Sequence, residues 1–253
     1  MASHLDFEAF FNGSWVPYRE VMISPDDRGF ILSDVVFDVA RTFDGVPFRW
    51  ENHVNRLFRS LKYLALDPGF SPDEITALGH EAVERNAHHR PEIPDFTIRC
   101  FVTRGANVEQ LRASGPPNVC VNVSPLNCAA FAPYFERGAH GVIARTRSYS
   151  STSVDAKLKH ASRLNFVLAD IEAATIDPEA SPILLDADGN VTEGNAFNVF
   201  TVTDGVIRTP KDDAILQGVT RQTVMELAAA LGMPAIEEDL QPYDLYTADE
   251  VFF

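Results

Sequence analysis

Strand-like and helix-like segments follow one another irregularly in this chain, and that irregularity restricts its fold more than any single motif. The stretches around Asn12-Gly13 and Asp44-Gly45 predict two β-hairpins, because these dipeptides favour the tight turns between antiparallel strands. Apolar residues then recur at helical spacing over 53–66, and a capping-box start at 71–74 predicts a second helix. Since regular β-α-β alternation is missing from the pattern, the sequence predicts an α+β fold.

The second half of the chain predicts two more helices and several strands. One helix is expected from about 159 to 174, and its apolar face should pack on a core, namely Leu164, Val167, Leu168 and Ile171. The other is expected from about 220 to 231. Two turn signals bracket a strand pair around Glu193, so this carboxylate lies at the mouth of an apolar strand.

Residues 125–138 show no clear periodicity and contain two prolines. We interpret this segment as a linker, because such a composition is typical of connections between domains. The predicted domains are an N-terminal α/β domain over 1–124 and a C-terminal domain over 139–253.

Charge and composition exclude several classes of protein. The 36 acidic and 21 basic residues give a formal net charge of −15, which would repel nucleic acid. Three cysteines without CxxC spacing indicate neither a disulfide framework nor a zinc site, and no other residues have metal-ligand spacing. The N-terminus lacks a signal-peptide pattern, and no stretch has the ~18 apolar residues of a membrane span. We therefore expect a cytoplasmic protein that binds no metal, membrane or nucleic acid.

Two lysines, Lys157 and Lys159, precede the helix expected after residue 159. A lysine that enters a desolvated site loses stability as a cation and becomes nucleophilic, which is what a Schiff-base lysine requires. The alternative is that both lysines lie on the solvated surface, and this segment alone favours that alternative, because most lysines are exposed.

A second candidate is the helix start at Gly218-Val219-Thr220. Backbone amides at a helix N-terminus attract phosphate, although the same residues could be an ordinary loop with Thr220 as N-cap. Arg56 interrupts the apolar stripe of its helix, so it is either an interfacial arginine that reaches water or a phosphate contact.

Taken in order, seven segments resemble the class IV aminotransferases, the fold-type-IV enzymes that use pyridoxal phosphate. The resemblance covers nearly the whole chain and rests on FNGSWVP, DDRGFILSDVVFDVARTFDGVPF, HVNRLFRSLKYLAL, IRCFVTRG, VDAKLKHASRL, VTEGNAFNVF and ILQGVTRQTV. It implies two α+β domains of the D-amino acid aminotransferase type, with a small N-terminal domain and a larger pseudo-barrel C-terminal domain.

The resemblance also implies a role for each matching residue. Lys159, rather than Lys157, would form the Schiff base with the cofactor, and Glu193 would pair with the pyridine nitrogen. The neighbouring Gly194 would leave room for a flat ring. Contacts to the cofactor, including its phosphate, would come from Arg56, Asn198, Gly218, Val219 and Thr220. The reaction implied is transfer of an amino group from an amine or amino acid to a 2-oxo acid.

The subfamily is predicted from smaller similarities. The sequence at 28–45 and 154–160 looks most like that of (R)-selective amine transaminases and D-amino-acid enzymes. An (R)-amine or D-amino acid is therefore the expected donor. The R-x-H carboxylate trap of D-amino acid aminotransferases is missing after TRG, where ANVEQLRASG follows. Arg28, Arg99 or Arg104 would then bind the substrate carboxylate, and Phe37 is a further candidate substrate contact.

Three alternatives remain from the sequence. Branched-chain aminotransferases share the strand IRCFVTRG but have E-G where this chain has Phe37-Asp38-Val39. Aminodeoxychorismate lyases share the LKHxxRL wording of 158–164, and a non-catalytic protein of the same fold is the third possibility. The family usually continues beyond the strand at 249–253, so the C-terminal domain is expected to be cut short. Because the sites of the family lie at a subunit interface, the resemblance implies a homodimer.

Overall fold

The computed structural model describes residues 6–106 and 115–253. They belong to two compact units, of which the first contains residues up to 130 together with Lys159–Ser162. The second contains Phe131–Leu158 and Arg163–Phe253. Each unit combines sheets with helices, so the α+β class is confirmed. The domain limits proposed from the sequence stay a prediction.

The first unit is built on a six-stranded antiparallel sheet. Its strands are β1 (Glu8–Phe11), β2 (Ser14–Pro17), β3 (Val35–Phe43), β4 (Val46–Pro47), β5 (Phe96–Thr103) and β6 (Asn118–Pro125), and they lie in the order β2-β1-β6-β5-β3-β4. Both predicted hairpins are present. Asn12 and Asp44 adopt φ of 50° and 49°, the left-handed conformation that tight hairpin turns require.

Three helices accompany this sheet, namely α1 (Arg28–Leu32), α2 (Trp50–Tyr63) and α3 (Pro72–Arg85). The predicted capping box of α3 is present, because the Ser71 hydroxyl accepts the Glu74 N–H at 3.2 Å and the Glu74 carboxylate accepts the Ser71 N–H at 2.7 Å. Helix α2 packs against β3, and α3 packs against β5 and β6. The buried faces of the two helices therefore fix the sheet from which the site residues project.

The segment Lys159–Ser162 is extended and pairs with β3, so the prediction that a helix starts at Lys159 is wrong. The Phe37 N–H donates to the Lys159 carbonyl at 3.1 Å, and the Ala161 N–H donates to the Val35 carbonyl at 3.2 Å. Because β4 pairs with β3 only at its far end, these bonds occupy a sheet edge that would otherwise have unpaired backbone groups.

From residue 128 onwards the chain forms two smaller sheets and four helices. The first sheet has the order β7 (His140–Arg147), β8 (Ala180–Leu185), β9 (Val191–Gly194). The second contains β10 (Phe200–Thr203), β11 (Val206–Thr209), β12 (Ala235–Glu237) and β13 (Glu250–Phe252), in the order β12-β11-β10-β13. The helices are α4 (Cys128–Arg137), α5 (Leu164–Ile176), α6 (Val219–Ala230) and α7 (Pro242–Thr247). Helix α4 occupies most of the segment that the sequence suggested was irregular, and none of the described helices is long and apolar enough to cross a membrane.

Helix α5 faces the opposite way from its sequence prediction. The residues expected to pack on a core are exposed by at least half, namely Leu164, Val167, Leu168 and Ile171. The buried positions are Asn165, Ala169 and Ala173. Small side chains let the helix lie close to β7 and β8, so the large apolar side chains point outward.

Candidate active site

Lys159 is fixed by residues of α2 and β3 in the first unit. Its backbone N–H donates to the Ser60 hydroxyl at 3.2 Å, and that hydroxyl donates to the Arg56 carbonyl at 3.2 Å. The Lys159 Nζ atom lies 4.9 Å from the ring centroid of Phe37, the residue whose N–H binds the Lys159 carbonyl. The lysine backbone is therefore held on two sides, while its ammonium group lies over an aromatic face.

Arg99 lies on the same surface of the sheet. Its guanidinium carbon is 5.7 Å from the ring centroid of Phe37 and 5.3 Å from that of Phe101, and the side chain is exposed. Two cations, Lys159 and Arg99, thus lie over one phenyl ring. Such a surface favours a ligand that has a negative charge and an apolar group.

Arg56 is buried in a cluster that the sequence did not reveal. Its Nε and Nη2 atoms donate to Asp38 Oδ2 and Oδ1 at 2.8 and 2.7 Å, and His53 Nδ1 lies 2.7 Å from the same Oδ1. Asp38 is fully buried. Burial alone raises the pKa of the Asp38 carboxyl, but the hydrogen bonds and charges of Arg56 and His53 outweigh it and lower the pKa to about 2. One edge of the Arg56 guanidinium is thus committed to an internal carboxylate.

Arg28 forms an ion pair with a neighbouring carboxylate. Its Nη2 atom lies 2.7 Å from Asp34 Oδ2, and Arg104 Nε lies 2.7 Å from the same oxygen. Arg104 also donates to the carbonyls of Leu64 and Ala65 just after α2, so it stabilises that end of the helix. Since Asp34 already accepts from both arginines, the substrate role of Arg28 stays a prediction, and Arg99 has the more accessible guanidinium. Residues 107–114, which follow TRG, lie outside the described residues.

Glu193 occupies β9 in the second unit, and its position is set by neighbouring amides. Its Oε2 atom accepts from Asn198 Nδ2 at 3.2 Å and from the Leu216 N–H at 3.2 Å. Asn198 also donates to the Leu216 carbonyl at 3.1 Å. The predicted cofactor residues Glu193 and Asn198 are therefore brought together, and Asn198 orients the carboxylate.

The two glycines of this region serve close packing. A Cβ atom on Gly194 would lie 2.1 Å from the Phe197 ring, and one on Gly218 would lie 2.0 Å from Asn198 Oδ1. The expectation that Gly194 leaves room for a flat ring is therefore wrong, because the Phe197 ring of the same strand connection fills that space. Gly218 instead lets α6 begin directly beside Asn198.

The start of α6 can hold an anion, and the predicted phosphate contact at these residues stays a prediction. Gly218 is the N-cap and has no side chain to accept from the first amides, and Val219 and Thr220 open the helix. Unsatisfied N–H groups and the helix dipole favour an anion at such an end. The alternative with Thr220 as N-cap is wrong, since Thr220 is already inside the helix.

The sequence prediction missed Arg163, the N-cap of α5. Its Nη2 atom donates to the carbonyl of Asn195, two residues after Glu193, and its guanidinium carbon lies 4.1 Å from the Phe166 ring centroid. An arginine at the start of an otherwise apolar helix was the available signal. Elsewhere within the described residues, no cluster of His, Cys, Asp and Glu could hold a metal ion.

Comparison with known proteins places these features in a family. The model of amino-transferase class IV matches residues 35–253. The chain is 35% identical to a putative branched-chain-amino-acid aminotransferase of Methanocaldococcus jannaschii, over 96% of this chain and 82% of that protein. It is 29% identical to a D-alanine aminotransferase of Staphylococcus aureus, over 96% and 83%.

A solved structure agrees with the fold. The branched-chain aminotransferase of the archaeon Thermoproteus uzoniensis, crystallised with norvaline, superposes with a TM-score of 0.88 at 27% identity and covers 98% of this chain and 82% of that one. The two-unit fold predicted from the resemblance is therefore confirmed.

Proposed function

Because the chain belongs to the class IV aminotransferases, which use pyridoxal phosphate, we propose that it moves the amino group of a branched-chain amino acid to a 2-oxo acid. The naming of its relatives supports this donor, which the sequence suggested only as an alternative. The (R)-amine or D-amino acid that we expected as donor has less support among the relatives.

One observation carries the proposal, namely the surface formed by Phe37, Arg99 and Phe101 next to Lys159. The Arg99 guanidinium lies beside both rings, so it could bind a carboxylate while the partly buried Phe37 ring contacts an aliphatic side chain. A branched-chain amino acid has this combination of an anionic and an apolar end.

The residues of the chain divide the remaining work. When bound, pyridoxal phosphate supplies an electron sink for the negative charge that develops on the carbon next to the amino nitrogen. The Lys159 Nζ atom would hold the cofactor and, once released, carry a proton as a general base. Glu193 would keep the pyridine nitrogen protonated, and Asn198 orients its carboxylate. The amides of Gly218, Val219 and Thr220 would bind the phosphate, with Arg56 as a further predicted contact.

A second candidate donor is a D-amino acid. It is favoured by the D-alanine aminotransferase among the relatives and by the sequence similarities around 28–45. The two candidates differ in the face on which the substrate hydrogen lies, so a stereochemical test separates them.

The test records the visible spectrum of the purified protein with added pyridoxal phosphate. L-Leucine, D-alanine and (R)-1-phenylethylamine are then added separately, followed by 2-oxoglutarate or pyruvate. We expect L-leucine to bleach the visible band and the 2-oxo acid to restore it. Bleaching by D-alanine alone would overturn the branched-chain proposal in favour of the second candidate, and pyruvate release from aminodeoxychorismate without an acceptor would indicate a lyase.

Two variants assign the residues. Lys159→Ala should form no visible band, because the amine that holds the cofactor is gone, whereas Lys157→Ala is the matched control and should behave as wild type. Glu193→Gln should keep the fold and bind the cofactor, yet turn over about 10²–10⁴ times more slowly, the range of general acid–base effects. A Lys159→Ala protein that still cycles would disprove the assignment.

The apolar side chains on α5 support the homodimer that the resemblance implies. Leu164, Val167, Leu168 and Ile171 are exposed on one helical stripe, joined by Ile176 at the helix end. In a chain of net charge −15, an uncharged stripe is the surface where a second copy meets the least repulsion. Light scattering, which measures the molar mass in solution, tests this. Leu168→Glu should give the mass of a monomer, whereas the control Glu179→Gln should keep the mass of a dimer.

A further inference from the structure

Arg163 is a partly buried cation that has no carboxylate in hydrogen-bond contact within the described residues. Its guanidinium donates to the Asn195 carbonyl and lies over the Phe166 ring, whereas Glu193 acts on it through charge. Burial lowers the pKa of the Arg163 guanidinium, which shows that its surroundings disfavour the charge. A partly desolvated guanidinium with N–H donors left over after its bond to Asn195 can bind a further anion.

The contacts of Arg163 and the charges that act on it show where a further anion would bind. Glu193 and Tyr149 are the ionisable groups whose charge favours the guanidinium, and both belong to the second unit. The anchor on Asn195 also holds the guanidinium near the strand end that contains Glu193. A molecule that binds at Glu193 would therefore lie in the electric field of Arg163.

On the proposed function, that occupant is the pyridine ring of the cofactor, with its nitrogen on Glu193. The ring carries two anionic substituents, a phosphate and a phenolic oxygen. The start of α6 offers backbone amides for the phosphate. The phenolic oxygen is then the anion that lacks a partner.

We infer that Arg163 binds the phenolic oxygen of the bound cofactor and so favours its ionised form. The inference rests on the proposed function, because it takes Glu193 as the partner of the ring nitrogen. Five N–H donors in a plane allow Arg163 to keep its bond to Asn195 while it donates to this oxygen. Arg163 would act as a second cofactor residue beside Glu193. Glu193 would keep the ring nitrogen protonated, whereas Arg163 would keep the phenolic oxygen deprotonated.

The test titrates the visible band of the cofactor-loaded protein. Loss of a cation next to the phenolic oxygen favours the protonated form, so Arg163→Gln should raise the midpoint pH of the band by about one unit or more. Arg163→Lys keeps the charge and should lie nearer to wild type. Arg145→Gln is the matched control, because it removes an exposed arginine of the same unit and should leave the midpoint unchanged.

The other outcomes overturn the inference in different ways. An unchanged midpoint in Arg163→Gln with a raised KM for the amino acid would assign the arginine to the substrate carboxylate. An unchanged midpoint and KM would make it a purely structural residue. If Arg163→Gln fails to bind the cofactor, recovery of the band in Arg163→Lys supports the contact, and no recovery counts against it.

The same spectra separate this inference from the proposed function. A wild-type protein that shows no visible band, or whose band no amino donor bleaches, contradicts the aminotransferase proposal itself. A wild-type band that bleaches normally, together with an Arg163→Gln midpoint equal to wild type, contradicts only the role of Arg163.

Discussion

Arg56 is buried and Arg163 is partly buried, and the groups that each guanidinium contacts differ in charge. Arg56 binds Asp38 through two hydrogen bonds of 2.8 and 2.7 Å, and His53 contacts the same carboxylate. Arg163 has a backbone carbonyl and an aromatic ring instead. The first arginine is neutralised by a hydrogen-bonded carboxylate, whereas the contacts of the second are an uncharged carbonyl and an aromatic ring, with Glu193 acting on it only through charge.

The difference indicates that Arg56 stabilises the fold and that Arg163 binds a ligand. An arginine with a buried carboxylate is part of the folded core, because removing either partner leaves the other charged and desolvated. An arginine without a hydrogen-bonded carboxylate lowers the stability of the folded protein, so its presence is better explained by an anion that binds from outside the chain. The three predictions below test this distinction, beginning with the variant that should have the largest effect.

Arg56→Gln should destabilise the cofactor-free protein by about 3–5 kcal/mol, because Asp38 would remain buried without its guanidinium. Urea unfolding followed by circular dichroism measures the change. Arg59→Gln, an exposed arginine on the same helix, is the control and should shift the midpoint little. A loss below about 1 kcal/mol for Arg56→Gln would show that the Asp38 cluster is not a core element.

The free energy of unfolding should fall at acidic pH because Asp38 becomes protonated. Its folded pKa of about 2 lies below the ordinary 3.8, so the unfolded chain binds the proton more readily. The carboxylate therefore contributes about 2 kcal/mol above pH 4, and this contribution is lost as the pH falls towards 2. Urea titrations at a series of pH values measure it.

Asp38→Asn is the control variant for this pH dependence, because it has no carboxylate to protonate. The variant should be less stable at neutral pH and should lose the part of the pH dependence that Asp38 supplies. An identical slope between pH 4 and 2 in variant and wild type would rule out Asp38 as its source.

Arg163→Gln should have the smallest effect on the cofactor-free protein. We expect a change within about 1 kcal/mol, of either sign, because the cost of the desolvated charge offsets the bond to Asn195. Thermal unfolding with and without pyridoxal phosphate measures both states. The rise in Tm on cofactor binding should be smaller in the variant, and a large loss in the cofactor-free state would make Arg163 equivalent to Arg56.

Local signals predicted the local structure well. The capping box at Ser71 and Glu74 and the turn at Asn12-Gly13 depend on adjacent residues, so the sequence contains all the information they need. The family motifs likewise identified Glu193 and Asn198, which the structure brings together.

The failures all depend on tertiary contacts. The periodicity of α5 gave a helix with an apolar face, but periodicity cannot tell whether that face meets its own core or a second chain. The extended segment at Lys159 is decided by the edge of β3, far away in the sequence. Asp38, the partner of Arg56, lies on a different element, and the Phe197 ring over Gly194 follows from a turn that the pattern does not specify.

The pairing of Lys159–Ser162 with β3 also affects how the chain folds during synthesis. The ribosome releases β3 early, but the residues that bind its edge at Val35 and Phe37 emerge only after β7 has been made. Until then, the first sheet carries an open edge that can pair with another nascent chain. The lysine thus reaches its place as one of the last parts of the first unit, and a fragment ending at residue 130 would retain the exposed edge.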